Sequence, residues 1–223
     1  MLRPSRLAAT ARAPARRSGP PNEDRWWDPR DQVLAEAAAV ARRDLPRRAW
    51  KRRLLINNAE VLDQFVGVPG GERLVRIADE RERTALDEGV AFAGSEHQLV
   101  VSRLEVFATP DAGAHRDAWR QDAPTAMAAL YRQRWHERGR APGWVEGAWA
   151  DIDWPLDERV DWLRVQDHTD RRDESGLFLF EHLHLWAGRA LAAVTVRHPP
   201  TVEVDSLAAH LADRVLHRLQ PFA

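Results

Sequence analysis

The segment Glu181-His182-Leu183-His184 is where residue type and spacing come nearest to chemistry. In an extended strand alternate side chains point to one side, so His182 and His184 share a face and could jointly ligate a divalent metal. Such a site needs further ligands, and His168 and His198, on the predicted strands before and after, are the candidates. His168 shares its strand face with Trp162 and Arg164. No spacing fixes these groups together, and the glycines and acid of familiar barrel metal sites do not follow His184. One reading is a small metal-dependent enzyme for hydrolysis or isomerisation, with His182, His184 and His168 as ligands. The simpler one makes the imidazoles packed or solvent-facing side chains.

The face shared by His182 and His184 also holds Phe178, Phe180 and Trp186, with Leu177, Leu179, Leu183 and Leu185 opposite, so the strand is expected to be covered on both sides. A pocket reading follows, in which Trp162, Phe178, Phe180, His182, His184 and Trp186 hold a small apolar or aromatic ligand and the imidazoles supply its few polar contacts. The alternative fills that face with large rings and half-buried histidines and needs no ligand; it is the preferred of the two.

Other constellations offer less. Ser95, Ser102, Ser175 and Ser206 are the serines beyond the first 22 residues, and none sits in a glycine-flanked elbow. Asp151 and Asp153 point to one side if extended, but no partner geometry accompanies them. Gly67 to Gly71 lacks the lysine and serine or threonine of a phosphate-binding loop. With no cysteine, disulfides, thiolate zinc sites and cysteine nucleophiles are excluded. No catalytic residue and no cofactor is therefore predicted. His210 and His217, seven apart on the last predicted helix, belong to its polar or boundary face.

Ten tryptophans are many for 223 residues, and Trp144, Trp149, Trp154 and Trp162 are closely spaced. An indole couples a large apolar body to one N–H donor, which suits either a partner surface or the pinning of a long loop to a sheet. Pinning is the preferred reading here, because the stretch 139–154 has few aliphatic residues to anchor it. A protein partner completing the tryptophan loop is the other.

The elements that must position these residues are legible from periodicity. Asp31 opens a helix over 32–43, stopped by Pro46, and Asn57 with Glu60 opens a short second one through Phe65. After the turn at Gly67 to Gly71 the period becomes two, with strands at 74–77, 90–93 and 97–108 and a hairpin turn at Gly94-Ser95. Thr109 and Pro110 start a helix whose stripe is Trp119, Met127, Tyr131 and Trp135, and Pro124 is expected to break or kink it before Glu137. Residues 139–154 read as a loop. Strands follow at 160–168, 176–186 and 189–198, the last two joined around Ala187-Gly188. Asp205 then caps a closing helix with Leu207, Leu211, Val215 and Leu219 on one face, and Pro221 ends it.

Clustered rather than alternating elements predict an α+β domain over 26–223, with a mixed or mainly antiparallel sheet and helices packed against it. Before it, residues 1–25 form a basic tail: Arg3, Arg6, Arg12, Arg16 and Arg17 stand among Pro, Ala, Ser and Gly, a composition expected to be disordered. Residues 1–53 carry 14 basic against 6 acidic side chains, while the whole chain has a formal net charge of -1. All basic residues but Lys51 are arginine and they are spread along the chain, so no specific nucleic-acid face is predicted. The tail does not read as a secretory signal and no run is long enough to span a membrane, so the chain reads as water-soluble and, on this basis, cytoplasmic.

The run Ser102-Arg103-Leu104-Glu105-Val106-Phe107-Ala108-Thr109-Pro110-Asp111-Ala112, with residues 190–196 feeding a leucine-rich terminal helix, resembles actinobacterial exported lipoproteins and kinase sensor domains of the α/β sandwich type. The resemblance covers the pattern of elements from about residue 50 to 220. It implies a non-catalytic, extracytoplasmic sensor or lipid-associated module and supplies no catalytic residues. The chain lacks the lipid-bearing cysteine of that group. Together these readings predict a non-catalytic binding or sensor-like module whose partner is a small apolar ligand or a protein.

Overall fold

The computed structural model describes residues 28–46, 50–53, 63–74, 83–95, 97–108, 113–137, 144–151, 157–168 and 177–223. The basic tail, the Asn57–Glu60 cap, Trp154, Asp153 and Ser175 lie outside the described residues.

Among the described residues, three helices and seven strands build the fold: α1 (Pro29–Ala38), β1 (Lys51–Arg53), β2 (Arg83–Ala93), β3 (Leu99–Phe107), α2 (Gly113–Glu137), β4 (Val145–Trp149), β5 (Val160–His168), β6 (Leu177–Ala187), β7 (Ala190–His198) and α3 (Asp205–Leu219). The sheet order is β1-β2-β3-β7-β6-β5-β4, and every neighbouring pair is antiparallel. This is the expected α+β class. α1 and α3 cover one face, over Phe92, Val100, Leu104, Leu183 and Val194. α2 covers the other, over Phe107, Leu163, Val165 and Leu191.

Local chemistry moves several boundaries from their expected places. Asp28, not Asp31, caps α1, its carboxylate accepting from the amides of Arg30 and Asp31, with Pro29 at the first helical position. Asp31 is thereby freed to take Arg189 and the Thr84 hydroxyl. The helix stops at Ala38 because Ala39 turns extended, and the Val40 amide donates to Ser102 Oγ on β3. Asp205 is the first residue of α3 rather than its cap, and its carboxylate accepts from Arg164.

A break in the helix at Pro124 and a loop at 145–149 are both overturned, for one shared reason. α2 runs unbroken through Pro124, and residues 145–149, expected to be loop, form edge strand β4. Proline forfeits one helical hydrogen bond, but α2 buries Trp119, Ala123, Ala126, Met127 and Leu130 in a continuous stripe that outweighs it. Gly147 of β4 lies directly beneath the Pro124 carbonyl, where a Cβ would sit 2.5 Å from that oxygen. The glycine that blurs the strand's periodicity is thus what lets the helix approach it. Of the strand expected at 74–77, Leu74 falls in a helical turn over 72–74 and the rest lies outside the described residues.

The β6–β7 hairpin turns on Gly188 and Arg189. Gly188 has φ +51° and the Phe222 carbonyl packs against its Cα, so a side chain has neither the backbone freedom nor the space there.

Candidate functional site

Register decides which side chains meet. β6 is a strand throughout, and Phe178, Phe180, His182, His184 and Trp186 all face α2. Pairing with β5 sets Asp161 opposite His184 and Trp162 opposite Leu183. Trp162 therefore faces α3, on the far side of the sheet from the five residues with which the pocket reading grouped it. His168 pairs with Leu177 and shares the Trp162 face, exposed to solvent, so the sheet itself separates it from His182 and His184. A one-residue offset in pairing reverses every side chain, and nothing in the sequence fixes that offset.

The face under α2 is an aromatic and imidazole layer closed by the helix's own rings. Tyr131 packs edge-on to Phe180 with centroids 4.6 Å apart, and Trp119 lies against His184 at 3.7 Å. The Tyr131 hydroxyl is 3.0 Å from His182 Nε2 and the Thr195 hydroxyl 2.9 Å from Nδ1, so either neutral tautomer has one donor and one acceptor to meet. Burial holds His182 well below the ordinary imidazole range, and His184 and Arg134 add to this. Burial also raises the Tyr131 phenol.

His184 differs from His182. It is 2% exposed, and neither ring nitrogen has a hydrogen-bond partner; nor does Trp119 Nε1 beside it. Burial pushes its pKa down to about 3, against a partial pull upward from Asp161. Two amphipathic rings, both able to hydrogen-bond, thus lie in contact in the core, tilted by 44° to one another, with that capacity unspent.

Asp161 closes the layer at one end. Its carboxylate accepts from Arg116 through both oxygens at 3.1 Å, from Arg120 Nε at 2.8 Å and from Trp186 Nε1 at 2.9 Å. At the other end, Arg197 of β7 lies 4.9 Å over the Phe178 ring and Arg134 lies 5.7 Å over Tyr131. Asp167 accepts from Trp135 Nε1 at 3.0 Å on both oxygens.

The chemistry open to this arrangement is narrow. Among the described residues no group of three or more His, Cys, Asp or Glu side chains is placed to hold a metal ion. His182 is already engaged at both nitrogens, and His184 is neutral at ordinary pH. Ser102, the buried serine of β3, is occupied by the Val40 amide. The polar rings left without a hydrogen-bond partner in this layer are the imidazole of His184 and the indole of Trp119.

Sequence reasoning placed Trp119 and Tyr131 on one helical stripe and the five β6 residues on one strand face. It did not pair the two, because a stripe does not name the strand it covers. It also missed Asp161 and Glu181 as buried hubs, since isolated acids among 34 carry no spacing signal. Of the tryptophan cluster, Trp162 is buried, whereas Trp144, just before edge strand β4, and Trp149, its last residue, are 54% and 39% exposed, so these two do not act chiefly as pins. A separate cavity of about 360 Å³ opens by the start of α1, lined among others by Asp28, Asp31, Thr84 and Arg189; Asp31 and Arg189 are spent on each other at 2.8 Å.

No family model matches the chain. No curated protein matches it either. Among solved structures, the extracellular domain of PknH from Mycobacterium tuberculosis shows a weak structural resemblance, with 11% sequence identity and a TM-score of 0.49. The match spans 85% of this chain and 96% of that one. Among the described residues, no helix is long and apolar enough to cross a membrane.

Proposed function

We propose that the protein is a non-catalytic binding or sensor-like module, and that its recognition element is the ring layer between β6 and α2. The observation that carries this reading is the His184–Trp119 pair: two buried polar rings in contact, with three ring nitrogens unpartnered between them. Leaving such groups unpaired costs on the order of 1–3 kcal/mol each, a cost that a fold selected for stability alone would shed by using apolar rings. A small aromatic ligand carrying one or two hydrogen-bonding groups would find ring faces at Phe180, Tyr131 and Trp186 and polar contacts at His184 and Trp119. Since Trp119 and Tyr131 now fill that space, entry requires α2 to shift on the sheet. The commitment of Asp161 to arginines and of His182 to hydroxyls supports binding over catalysis.

Mass spectrometry of small molecules released from the purified full chain tests this. The reading expects an aromatic or apolar compound near equimolar amount, lost in Phe180→Arg while the circular dichroism spectrum is retained. A compound equally abundant in both proteins, or a preparation of the unaltered chain that neither carries nor takes up any compound from a metabolite extract, rejects it.

A further inference from the structure

On the opposite face of the sheet, Glu181 is the centre of a second polar cluster, one that owes nothing to the ring layer. Its carboxylate is 0% exposed. Oε2 accepts from Trp162 Nε1 at 2.6 Å and Oε1 from Arg164 Nε at 2.7 Å. Oε1 also lies 3.2 Å from Nε2 of His198, the last residue of β7. The other ring nitrogen of His198, Nδ1, is 2.7 Å from the Val202 carbonyl and 3.0 Å from that of Pro199. Arg164 reaches onward to Asp205, where α3 begins, at 3.2 Å.

Among the described residues, every atom hydrogen-bonded to the ring nitrogens of His198 is an acceptor. Carbonyl oxygens cannot donate, and a carboxylate held by a guanidinium and an indole N–H is in its ionised form. Burial alone would raise the Glu181 carboxyl, but its bonds from His198, Trp162 and Arg164 more than cancel that and hold it below the ordinary range. A neutral imidazole has one N–H and one lone pair, so in this position it must aim a lone pair at an oxygen. Only the imidazolium donates on both sides. Among the described residues, the charged groups joined in this cluster are Glu181 from β6, Arg164 from β5 and Asp205 from α3, one more negative than positive, so a proton on His198 balances them.

We propose that His198 is a proton-operated clasp: carrying both ring protons, it ties the Glu181 carboxylate to the carbonyls of the turn at 199–202 and so fixes the entry into α3. Loss of one proton opens the clasp, because the ring then keeps either the carboxylate or the turn but not both. The closed state belongs to the low-pH side, and rising pH releases the turn. The Val202 amide, which donates to the Pro199 carbonyl at 3.1 Å, and the Ala208 amide, which donates to Val204 at 2.8 Å, are the reporters nearest to it.

The test is long-range proton–nitrogen NMR on the full chain labelled at histidine, followed from about pH 5.5 to 9, with amide exchange at Val202 and Ala208 corrected for its intrinsic pH dependence. The expected result is a doubly protonated His198 ring at the acid end, and a loss of about tenfold in protection at these two amides with the same midpoint as loss of the ring proton. In Glu181→Gln, which keeps shape and removes the charge, that midpoint falls by about one pH unit or more. A bare ring nitrogen while the turn stays protected overturns the proposal, as does protection that is unchanged through the ring's titration. Should Glu181→Gln fail to fold, the coincidence of the two midpoints in the unaltered chain decides alone.

Discussion

Asp161 and His184 face one another across β5 and β6, and the two residues represent opposite solutions to burying polarity. Asp161 is surrounded by donors from Arg116, Arg120 and Trp186. Its exchange for asparagine removes the charge and turns an amide N–H toward the arginines. Asp161→Asn should therefore lose about 1–3 kcal/mol of stability, read as a lower urea midpoint at unchanged slope; an unchanged midpoint would mean that the arginines are satisfied by water. His184 has no bonds to lose. His184→Phe keeps a flat ring under Trp119, and replacing an unpaired polar group by an apolar one of similar shape is expected to be neutral or stabilising by up to about 2 kcal/mol. A loss of stability in that variant would show that His184 is hydrogen-bonded in solution.

At the scale of elements, the α2–β4 contact depends on one missing methyl. A Cβ at Gly147 would meet the Pro124 carbonyl at 2.5 Å, and that atom is backbone, unable to rotate away. Gly147→Ala should push α2 off the edge strand and cost about 1–3 kcal/mol, with faster amide exchange in residues 145–149 than in the central strands. Equal exchange across the sheet would place the strain elsewhere. The same contact explains what could be read beforehand. β5, β6, β7 and α3 were legible because long apolar alternation or a clean helical stripe specifies them without outside help. β4 was not, since its only buried apolar side chain is Val145 and its central residue is chosen for the helix above it. β2 was read only at its C-terminal end, residues 90–93, because two register shifts and the Asp87-Glu88-Gly89 stretch break its alternation. β1, three basic residues paired at the sheet edge, has no hydrophobic pattern at all. Face sharing within β6 followed from the period of two, but the partner across the sheet did not, and so Trp162 and His168 were assigned to the wrong side of it.

For the whole molecule, buried ionisable groups set how stability varies with pH, and the signs can be worked out separately. His182 and His184 have folded values below the unfolded one, His184 at about 3. Their contribution is complete above about pH 6.5, where the unfolded chain's imidazoles are also neutral. Below it the unfolded state takes up protons that the fold refuses, and stability falls by up to about 1.4 kcal/mol per pH unit for each buried imidazole. Asp31 and Asp157, drawn down by Arg189 and Arg159, have depressed folded values too, Asp157 at about 2, so their contribution is lost only below about pH 4. Stability should thus decline in two acid stages, a gradual one from about pH 6.5 and a steeper one below about pH 4. Urea midpoints at a series of pH values check this, with His184→Phe as the control that assigns the first stage. The variant should show a shallower fall between about pH 6 and 4, by one proton's worth of slope. Parallel curves for the two proteins would mean that His184 is protonated within the fold, and the neutral imidazole against Trp119 would have to be abandoned.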